Sequence, residues 1–503
     1  MTKTPPIELD AIAAHAAEAA SVWAATPPSV RARALAAAAT ALADSAADLV
    51  ATAMSETGLS EARLGSELKR TVVQLRLFSE VILEGSYLDV RIDDADSDFV
   101  LGSRPDIRRY RVPVGPVLNF AASNFPFAFS VAGGDTASAL AAGCPVVVKA
   151  HSGHVQLSAQ TAAVVAGALV SAGAPEGTLQ WISGQDAGVT LLRDARIAAA
   201  SFTGSIHVGR LLADIAASRP KPIPFFGELG SVNPVFVTRS GLAENAESIA
   251  EGYVASVAGS AGQLCTKPGF LFLPADHDLA ARILEQVAKV SEHRLLYPGI
   301  AAGYQRRRDT ILATPGVSVV AEGSLRIDDE GQGWATPTIV SISVAILRDH
   351  GGSLLDEAFG PLSIIVDYED DTDLAAVADE LFAGNLTGTI HSATDEDTPA
   401  LRRLVDWITA HAGRVLFGGW PTGVAVTPAM QHGGPWPATT NDSSTSVGTA
   451  AIGRFLRPVA YQGAPQALLP EPLRDENPWG VPQRRSVSGQ SHSWGAAASD
   501  VRP

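Results

Sequence analysis

Residues 145–149 read Pro-Val-Val-Val-Lys, a short apolar run of the kind that forms a buried parallel strand. Strand-like and helix-like stretches alternate on both sides of it. We predict strands over 110–121, 179–183 and 198–203, and helices over 127–142, 155–172 and 187–193. This alternation favours a doubly wound α/β domain, in which helices cover both faces of a parallel sheet.

A second α/β domain is predicted further along the chain. It contains apolar strands over 233–237 and 270–274 and a helix over 279–290. The alanine-rich segment 8–84 has a helical pattern and precedes the first domain. The acidic stretch 93–98 lies between two ordered regions and could begin a β-excursion from the first domain.

The composition limits the class of protein. Of the 503 residues, 46% are hydrophobic, which is enough for two or three domains with buried cores. A net charge of −16 argues against a nucleic-acid partner, because such proteins usually need a basic face. The N-terminus lacks the apolar core of a signal peptide, and no stretch has the pattern of a membrane span. We therefore expect a cytoplasmic protein with no membrane partner.

The chain contains two cysteines, too few for a disulfide framework. No group of cysteines and histidines has zinc-ligand spacing, so we predict no metal site. Cys144 lies at an apolar helix-to-strand junction and is predicted to be buried and inert. Cys265 lies in Gly-Ser-Ala-Gly-Gln-Leu-Cys-Thr-Lys-Pro-Gly (259–269), a glycine-rich loop that would display its thiol to a substrate.

A carboxylate precedes this loop in the sequence. Glu228 follows the apolar run Ile-Pro-Phe-Phe-Gly (223–227), where burial would raise its pKa towards that of a useful base. The thiol needs help to ionise, which Glu228, Lys267 or a neighbouring helix end could supply. An acid–base carboxylate and a displayed thiol indicate covalent catalysis.

Four motifs resemble those of the aldehyde dehydrogenase family. They are Ser-Asn-Phe-Pro (123–126), Glu-Leu-Gly-Ser (228–231), Gly-Gln-Leu-Cys (262–265) and Glu-Ala-Phe-Gly-Pro (357–361). The resemblance implies that Cys265 is the nucleophile, that Glu228 activates water, and that Asn124 forms an oxyanion hole with the backbone N–H of Cys265. The reaction implied is oxidation of an aldehyde to a carboxylic acid through a thiohemiacetal and a thioester.

The resemblance implies a nicotinamide cofactor, although the chain has no Gly-x-Gly-x-x-Gly fingerprint. Lys149 ends a predicted strand at the edge where open α/β sheets bind ligands, and the family uses this position for the adenosine ribose. Ser152 stands where many NAD-preferring members carry a glutamate, so we predict NADP, with NAD as the alternative. The residues that match the pyrophosphate, nicotinamide-ribose and nicotinamide-ring contacts are Gly204, Ser205, Glu357 and Phe359.

The resemblance also implies two doubly wound α/β domains and a small β oligomerisation arm. We predict a cofactor-binding domain from 1–94 and 114–229, a catalytic domain over 230–437, and an arm with a C-terminal tail from 95–113 and 438–503. Within the tail, residues 463–503 are rich in Pro, Gly, Ser and Gln and are predicted to be irregular. The apolar segment before them matches a strand whose open edge would pair with another subunit. We therefore expect a homodimer or a homotetramer.

Motifs near the C-terminus bear on the substrate. Phe417-Gly-Gly-Trp-Pro, His432-Gly-Gly-Pro-Trp and Arg457-Pro-Val-Ala-Tyr-Gln are similar to two groups within the family, the 2-oxoglutarate semialdehyde dehydrogenases and the NADP-dependent fatty aldehyde dehydrogenases. We expect oxidation of the semialdehyde to 2-oxoglutarate, with medium- or long-chain aldehydes as the alternative substrates. Gly418 and Trp436 depart from the asparagine and tyrosine expected there.

The substrate tunnel is predicted from the segment after Asn124. Phe125 and Phe129, one helical turn apart, would form an apolar wall, although core packing explains the same spacing. A substrate that carries a carboxylate would also need a cation or several amides, because burying an unpaired carboxylate is costly. A cysteine hydrolase is the rival of another class. It needs a histidine base, and no histidine lies close to Cys265 in the sequence.

Overall fold

A computed structural model describes residues 3–495, and every element below lies in that range. The α-helices are α1 (Pro6–Ala25), α2 (Pro28–Asp44), α3 (Ala46–Thr57), α4 (Glu61–Glu84), α5 (Gly134–Ala142), α6 (Val155–Ser171), α7 (Gln185–Arg193), α8 (Ile206–Ala217), α9 (Arg239–Ala258), α10 (Leu279–Val287), α11 (Pro298–Leu312), α12 (Val344–Leu354), α13 (Leu374–Leu381) and α14 (Pro399–His411). Several short 3₁₀ turns link them.

The β-strands form four sheets. They are β1 (Val90–Asp93), β2 (Ile107–Pro113), β3 (Val117–Phe120), β4 (Val146–Lys149), β5 (Leu179–Ile182), β6 (Ala199–Thr203), β7 (Phe225–Glu228), β8 (Val235–Val237), β9 (Phe270–Pro274), β10 (His293–Arg294), β11 (Ser318–Ala321), β12 (Leu325–Ile327), β13 (Gly333–Ala335), β14 (Thr338–Ser343), β15 (Leu362–Tyr368), β16 (Asn385–His391), β17 (Ala412–Phe417), β18 (Leu456–Gln462) and β19 (Gln483–Ser486). One of the four is a small sheet with the order β10-β13-β12.

The first large sheet is parallel, with the strand order β5-β4-β3-β6-β7. The order runs outwards from β3 in both directions, so the switch point lies between β3 and β6. Open α/β sheets bind ligands at such a point, outside the carboxyl ends of the strands. The residues that follow β3, β4, β6 and β7 therefore border one crevice.

The second large sheet has the order β11-β14-β15-β9-β8-β16-β17 and is parallel except for β11 at one edge. In this sheet the candidate functional residues lie in the segments that precede the strands, at their amino ends. The loop with Cys265 leads into β9, and the segment with Glu357 leads into β15, its neighbour. Adjacent parallel strands begin at the same edge, so these two segments lie side by side.

Both large sheets are buried on both faces. In β4, Val146 and Val148 enter one apolar core and Val147 enters another. In β9, Phe270 and Phe272 face one core while Leu271 faces the opposite one. Side chains of alternating direction that are apolar on both sides confirm the predicted doubly wound architecture.

A four-stranded sheet, β18-β2-β1-β19, forms an arm. Its strands come from distant parts of the chain, since β2 pairs with β18 and β1 pairs with β19. The tail was predicted to be irregular from 463 onwards, and this is wrong for β19, which adds a parallel strand to the edge of β1. Residues 496–503 lie outside the described residues.

Two other predictions need correction. The strand predicted over 110–121 is two strands, β2 in the arm and β3 in the first sheet, separated by a turn at Gly115 with φ +122°. The helix predicted over 127–142 begins only at Gly134. A Cβ on Gly133 would lie 2.3 Å from the carbonyl oxygen of Ala128, so the chain turns tightly there before the helix starts.

No single helix among residues 3–495 is long and apolar enough to cross a membrane. The pair α2 and α3 meets the length and composition criteria only when taken together, across a bend of 69°.

Candidate active site

The carboxyl edge of the first sheet faces the amino edge of the second. Asn124 follows β3, Glu228 ends β7, and Cys265 lies in the loop before β9. Asn124 Nδ2 donates a hydrogen bond to the carbonyl of Gln263, 3.0 Å away and two residues before the cysteine. The three residues that the sequence analysis assigned to catalysis are thus brought to one place.

The loop that carries Cys265 has an unusual backbone. Ser260, Ala261 and Gly262 are all left-handed, with φ values of +52°, +52° and +66°. A Cβ on Gly262 would lie 2.3 Å from the carbonyl oxygen of Gly360, so only glycine allows this approach to the segment before β15. Asn233 holds the other side of the loop, donating to the carbonyls of Cys265 at 2.9 Å and Lys267 at 3.0 Å. The position of the thiol is therefore fixed from both sides.

His432 lies between the thiol of Cys265 and the carboxylate of Glu228 and contacts both. Its Nε2 lies 3.6 Å from Cys265 Sγ and 2.9 Å from Glu228 Oε1. Ser446 Oγ donates to the other carboxylate oxygen at 2.6 Å. The side chains of His432 and Glu228 are 1% and 2% exposed, so water does not screen this array. His432 was not predicted as a functional residue, because it lies 167 residues from the cysteine in the sequence.

The pKa of Glu228 differs from the prediction. Burial on its own raises this pKa, as expected, but the charge and hydrogen bond of His432 and the hydroxyl of Ser446 lower it to about 2. The prediction of a raised pKa was therefore wrong. It considered burial alone, and the two donors that reverse the shift come from residues more than 200 positions away.

The environment of Cys265 favours the neutral thiol at rest. Burial raises its pKa well above the ordinary value, and the charges of Glu228 and Glu357 raise it further, whereas Arg70 lowers it. Lys267 gives no direct help, because its Nζ donates to the carbonyl of Leu362 at 2.5 Å. Ionisation of the thiol therefore requires transfer of its proton to a neighbour. Cys144 is buried, and burial raises its pKa to about 11.

Two N–H donors converge beside the thiol. The backbone N–H of Cys265 has no acceptor among the described residues. Asn124 uses one of its two amide hydrogens for Gln263 and keeps the other. The backbone of Asn124 is itself fixed, because its backbone carbonyl accepts a hydrogen bond from Arg63 Nη2 at 2.9 Å. This arrangement can stabilise negative charge on an oxygen next to Cys265.

Phe125 and Phe129 border the same space. Their ring centroids are 5.4 Å apart, and the ring of Phe129 lies 6.3 Å from that of His432. They belong to a single turn, closed by the N–H of Phe129 donating to the carbonyl of Phe125 at 3.1 Å, and not to the predicted helix. Both rings are only half-buried, which is consistent with a wall that a ligand could contact.

The crevice of the first sheet holds the predicted cofactor residues. Lys149 ends β4, and its amino group has no hydrogen-bond partner among residues 3–495; burial lowers its pKa. Gly204 and Ser205 are exposed between β6 and α8, and Ser205 caps that helix by accepting from Val208 N–H. The amide dipoles of a helix N-terminus attract a pyrophosphate.

Glu357 reaches the same crevice from the second sheet. A Cβ on Gly230 would lie 2.8 Å from Glu357 Oε2 and 3.3 Å from Ile206, the first residue of α8. The carboxylate and the helix N-terminus therefore flank one space that a glycine keeps open. Phe359 follows closely and packs against the apolar core of the first sheet. Lys149, Ser205 and Glu357 are therefore the residues of this crevice that could hold a dinucleotide.

Ser152, the residue on which the NADP prediction depends, lies close in the sequence to the buried residue His154. This histidine is buried, with Nε2 2.8 Å from the carbonyl oxygen of Ala122, and acts as a structural residue. Ser152 is exposed, and burial lowers the pKa of His151 well below its ordinary value. Glu56 accepts the N–H groups of Gln156 and Leu157, so a carboxylate stands at the start of α6.

Glu228, Cys265 and His432 also place a carboxylate oxygen, a sulfur and an imidazole nitrogen within 4.8 Å of one another. This set resembles the ligands of zinc. The nitrogen of this set, His432 Nε2, is however already the hydrogen-bonding partner of both Cys265 Sγ and Glu228 Oε1.

The chain belongs to the aldehyde dehydrogenase family, whose sequence profile, described as "Aldehyde dehydrogenase family", matches residues 2–435. It is 43% identical over 429 residues to the alpha-ketoglutaric semialdehyde dehydrogenase of Acinetobacter baylyi, a match covering 85% of this chain and 81% of that protein. It is 42% identical over 442 residues to alpha-ketoglutaric semialdehyde dehydrogenase 2 of Azospirillum brasilense, covering 87% and 83%.

Solved structures share the fold. A 1-pyrroline-5-carboxylate dehydrogenase from Thermus with bound NAD superposes with a TM-score of 0.76 at 22% identity, covering 92% of this chain and 86% of that one. A proline utilization A mutant from Bradyrhizobium japonicum gives 0.78 at 20% identity, covering 92% of this chain and 45% of that one. The predicted aldehyde dehydrogenase fold is confirmed.

Proposed function

We propose that the protein oxidises 2-oxoglutarate semialdehyde to 2-oxoglutarate with a nicotinamide cofactor. The observation that supports this most directly is the buried array of Cys265, His432 and Glu228, with Asn124 beside it. The choice of aldehyde is supported by the two alpha-ketoglutaric semialdehyde dehydrogenases that are 42–43% identical to this chain.

The first step is attack by sulfur. Glu228 is ionised at rest and lies close to the thiol, so it can accept the proton while the N–H of His432 supports the thiolate. The thiolate adds to the aldehyde carbon, and the oxygen takes the negative charge. Asn124 and the backbone N–H of Cys265 stabilise this oxyanion, at about 3–4 kcal/mol per donor in comparable sites. A nicotinamide cofactor, held by Lys149, Ser205 and Glu357, would accept the hydride that this adduct gives up, which would leave a thioester on Cys265.

The second step is hydrolysis of the thioester on Cys265. Before this step Glu228 must pass the proton that it took from the thiol on to water, which restores the carboxylate. Glu228 would then take a proton from the attacking water. At rest its two oxygens accept hydrogen bonds from His432 and Ser446. Each oxygen accepts one hydrogen bond and keeps a second lone pair, so the carboxylate can take a proton from water without losing either partner.

The cofactor proposed is NADP, with NAD as the alternative. Ser152 is exposed and leaves room for a phosphate group next to Lys149. Glu56, which accepts two amides at the start of α6, opposes this choice because a carboxylate repels a phosphate. The ratio of kcat/KM for NADP to that for NAD decides between the two.

We also propose that the arm joins two copies of the chain. The outer edge of β18 has no neighbouring strand among residues 3–495, and several of its side chains are exposed. Open strand edges pair readily with another chain. Sedimentation would show a dimer or a tetramer if this holds, and a monomer would contradict it.

The decisive experiment measures cofactor reduction by the purified protein. The substrates are 2,5-dioxopentanoate, which is 2-oxoglutarate semialdehyde, and octanal, each with NADP and with NAD. We expect the dioxo acid to be preferred. Preference for octanal would favour the fatty aldehyde alternative, for which the similarity is more distant: a fatty aldehyde dehydrogenase of Saccharomyces cerevisiae is 27% identical over 340 residues.

The two cysteines provide the matched control. Cys265→Ser should abolish reduction of the cofactor, whereas Cys144→Ser should retain it. Ester hydrolysis without cofactor must be measured in parallel, because the sequence argument against a cysteine hydrolase does not hold in three dimensions. His432 supplies the histidine that the sequence analysis did not find near Cys265. Hydrolysis without any aldehyde oxidation would overturn the proposed function.

A further inference from the structure

One face of α4 looks towards the active site. Arg63, Glu67 and Arg70 are spaced by four and three residues, which places them on the same side of the helix. This side lies against the turn that contains Phe125 and Phe129. Glu67 is buried and the two arginines are partly buried, so all three charges need partners, because a buried charge without one is costly.

The first two residues have partners. Arg63 donates to Ser260 Oγ at 2.9 Å, to the carbonyl of Asn124 and to the carboxylate of Glu67. The other oxygen of Glu67 accepts the N–H groups of Phe127 and Ala128 at 2.7 and 2.9 Å. These bonds fix the Asn124 turn against α4.

Arg70 has no such partner. No described residue accepts a hydrogen bond from its guanidinium, and its Nε is buried. The group lies 5.4 Å from the ring centroid of Phe129 and 6.0 Å from that of Phe125. Burial lowers the pKa of Arg70, and the charges of Glu67, Cys265 and Glu228 oppose this shift. An arginine stays protonated in proteins, so a cation with unused donors stands beside the aromatic wall.

We propose that Arg70 binds the carboxylate of the substrate and thereby selects an aldehyde that carries an acid at its far end. This inference rests on the proposed function. In 2,5-dioxopentanoate, four bonds separate the aldehyde carbon from the carboxylate carbon. With the aldehyde at Cys265, the chain lies along Phe129 and the carboxylate meets the guanidinium, whose planar fork matches a carboxylate in two parallel hydrogen bonds.

A different role for Arg70 must be separated from this one. Its charge lowers the pKa of Cys265, so it could act by supporting the thiolate alone. That role would affect every aldehyde equally. A carboxylate-binding role affects only substrates that carry the acid, so paired substrates distinguish the two.

The experiment compares 2,5-dioxopentanoate with pentanal, an aldehyde of the same chain length without the acid. Arg70→Met should lower kcat/KM for the dioxo acid by about 10- to 100-fold, mainly through KM, since hydrogen bonds to charged groups contribute about 1.5–3 kcal/mol. Pentanal should change by less than about threefold. Arg70→Lys should restore part of the loss, because the charge remains but the fork is lost.

Arg76→Met is the matched control, because Arg76 lies on the same helix but is exposed. It should leave both substrates unchanged. The rate of Cys265 alkylation by iodoacetamide measures the effect of Arg70 on the thiolate separately, and in Arg70→Met it should fall by no more than kcat/KM for pentanal does, less than about threefold. A common melting temperature would show that the fold is intact.

Three results would overturn the inference. Equal losses for both aldehydes, with slower alkylation, would assign Arg70 to the thiolate, and an unchanged kcat/KM for the dioxo acid would leave it without a role in recognition. If the unmodified protein itself does not prefer the dioxo acid to pentanal, the proposed function fails, and the inference fails with it. That failure is visible before any variant is made.

Discussion

Glu228 and Glu357 both act on Cys265 through their charge, but the pKa values of the two carboxylic acids are shifted in opposite directions. Burial raises the pKa of both carboxylic acids. Glu228 accepts hydrogen bonds from His432 and Ser446, which reverse the shift and hold its pKa at about 2. Glu357 has no hydrogen-bond donor among the described residues, and the charge of Lys267 offsets burial only in part, so its pKa is raised.

The difference shows that, for these two carboxylic acids, nearby hydrogen-bond donors and charges determine the direction of the pKa shift, since burial acts on both in the same way. Both oxygens of Glu228 accept hydrogen bonds from the protein itself, so the negative charge of this carboxylate is stabilised without a ligand. The region around Glu357 is incomplete, since a carboxylate without donors is costly in a buried place. Sugar hydroxyls of a bound cofactor would supply the missing donors. The two regions therefore fit a base that is charged in advance and a binding group that a ligand completes.

The largest expected effect comes from removing the charge of Glu228. Glu228→Gln should lower steady-state kcat by about 10²- to 10⁴-fold, the usual contribution of a general base. A first burst of reduced cofactor, smaller or slower than normal, should remain if His432 alone can accept the thiol proton. Rapid-mixing absorbance measurements separate the burst from turnover. Normal turnover in this variant would mean that Glu228 is not the base.

A second variant tests why the pKa of Glu228 is low. In His432→Gln, the imidazole that contributes most to lowering the pKa of Glu228 is lost. Only Ser446 and the charge of Arg454 then oppose burial, so this pKa should rise. A carboxylate with a raised pKa gains a proton as pH falls, and the kcat profile should acquire an acid limb between about pH 5 and 7. We expect a loss of about 10- to 100-fold at pH 6 and a smaller loss at pH 9.

Ser446→Ala is the comparison for this variant. It removes the weaker of the two donors, since His432 contributes more to the low pKa. The acid limb should therefore be shallower or should lie at lower pH. Identical profiles for the three proteins between pH 5 and 9 would show that these hydrogen bonds do not set the protonation of Glu228.

The smallest effect is expected at Glu357. Glu357→Gln should raise KM for the cofactor by about tenfold, equivalent to the loss of one charge-assisted hydrogen bond, while kcat changes little. Cofactor titration monitored by protein fluorescence would measure the same change as a Kd. Asp356→Asn is the control, because this exposed neighbour should have no effect. An equal loss in both variants would argue against a specific contact from Glu357.

The sequence predicted those parts of the site that lie within short motifs. Asn124, Glu228 and Cys265 were each identified from a few neighbouring residues, and the structure places them at facing sheet edges. His432 and Arg70 were missed as functional residues because their relation to Cys265 exists only in three dimensions. His432 lies in a glycine- and proline-rich stretch and Arg70 in the first helical segment, 195 positions before Cys265 by sequence number.

The fold shows the same limit. Periodicity predicted β9 at Phe270–Pro274 and α6 at Val155–Ser171 closely, because apolar spacing is a local property. The predicted α5 began too early in the sequence. Residues before Gly134 form a turn instead, because Glu67 of the distant helix α4 accepts the N–H groups of Phe127 and Ala128. Periodicity also missed β19, a strand of polar residues that exists only because β1 offers an edge.

The arm also has a consequence for how the chain is made. β1 and β2 leave the ribosome early, but the partners that flank them are β19 and β18 near the far end of the chain. At synthesis rates of roughly 5–20 residues per second, these two strands wait about 20–70 s with both outer edges uncovered. During that interval the uncovered edges can pair with other nascent chains, so we expect the arm to be prone to misassembly until β18 and β19 have been made.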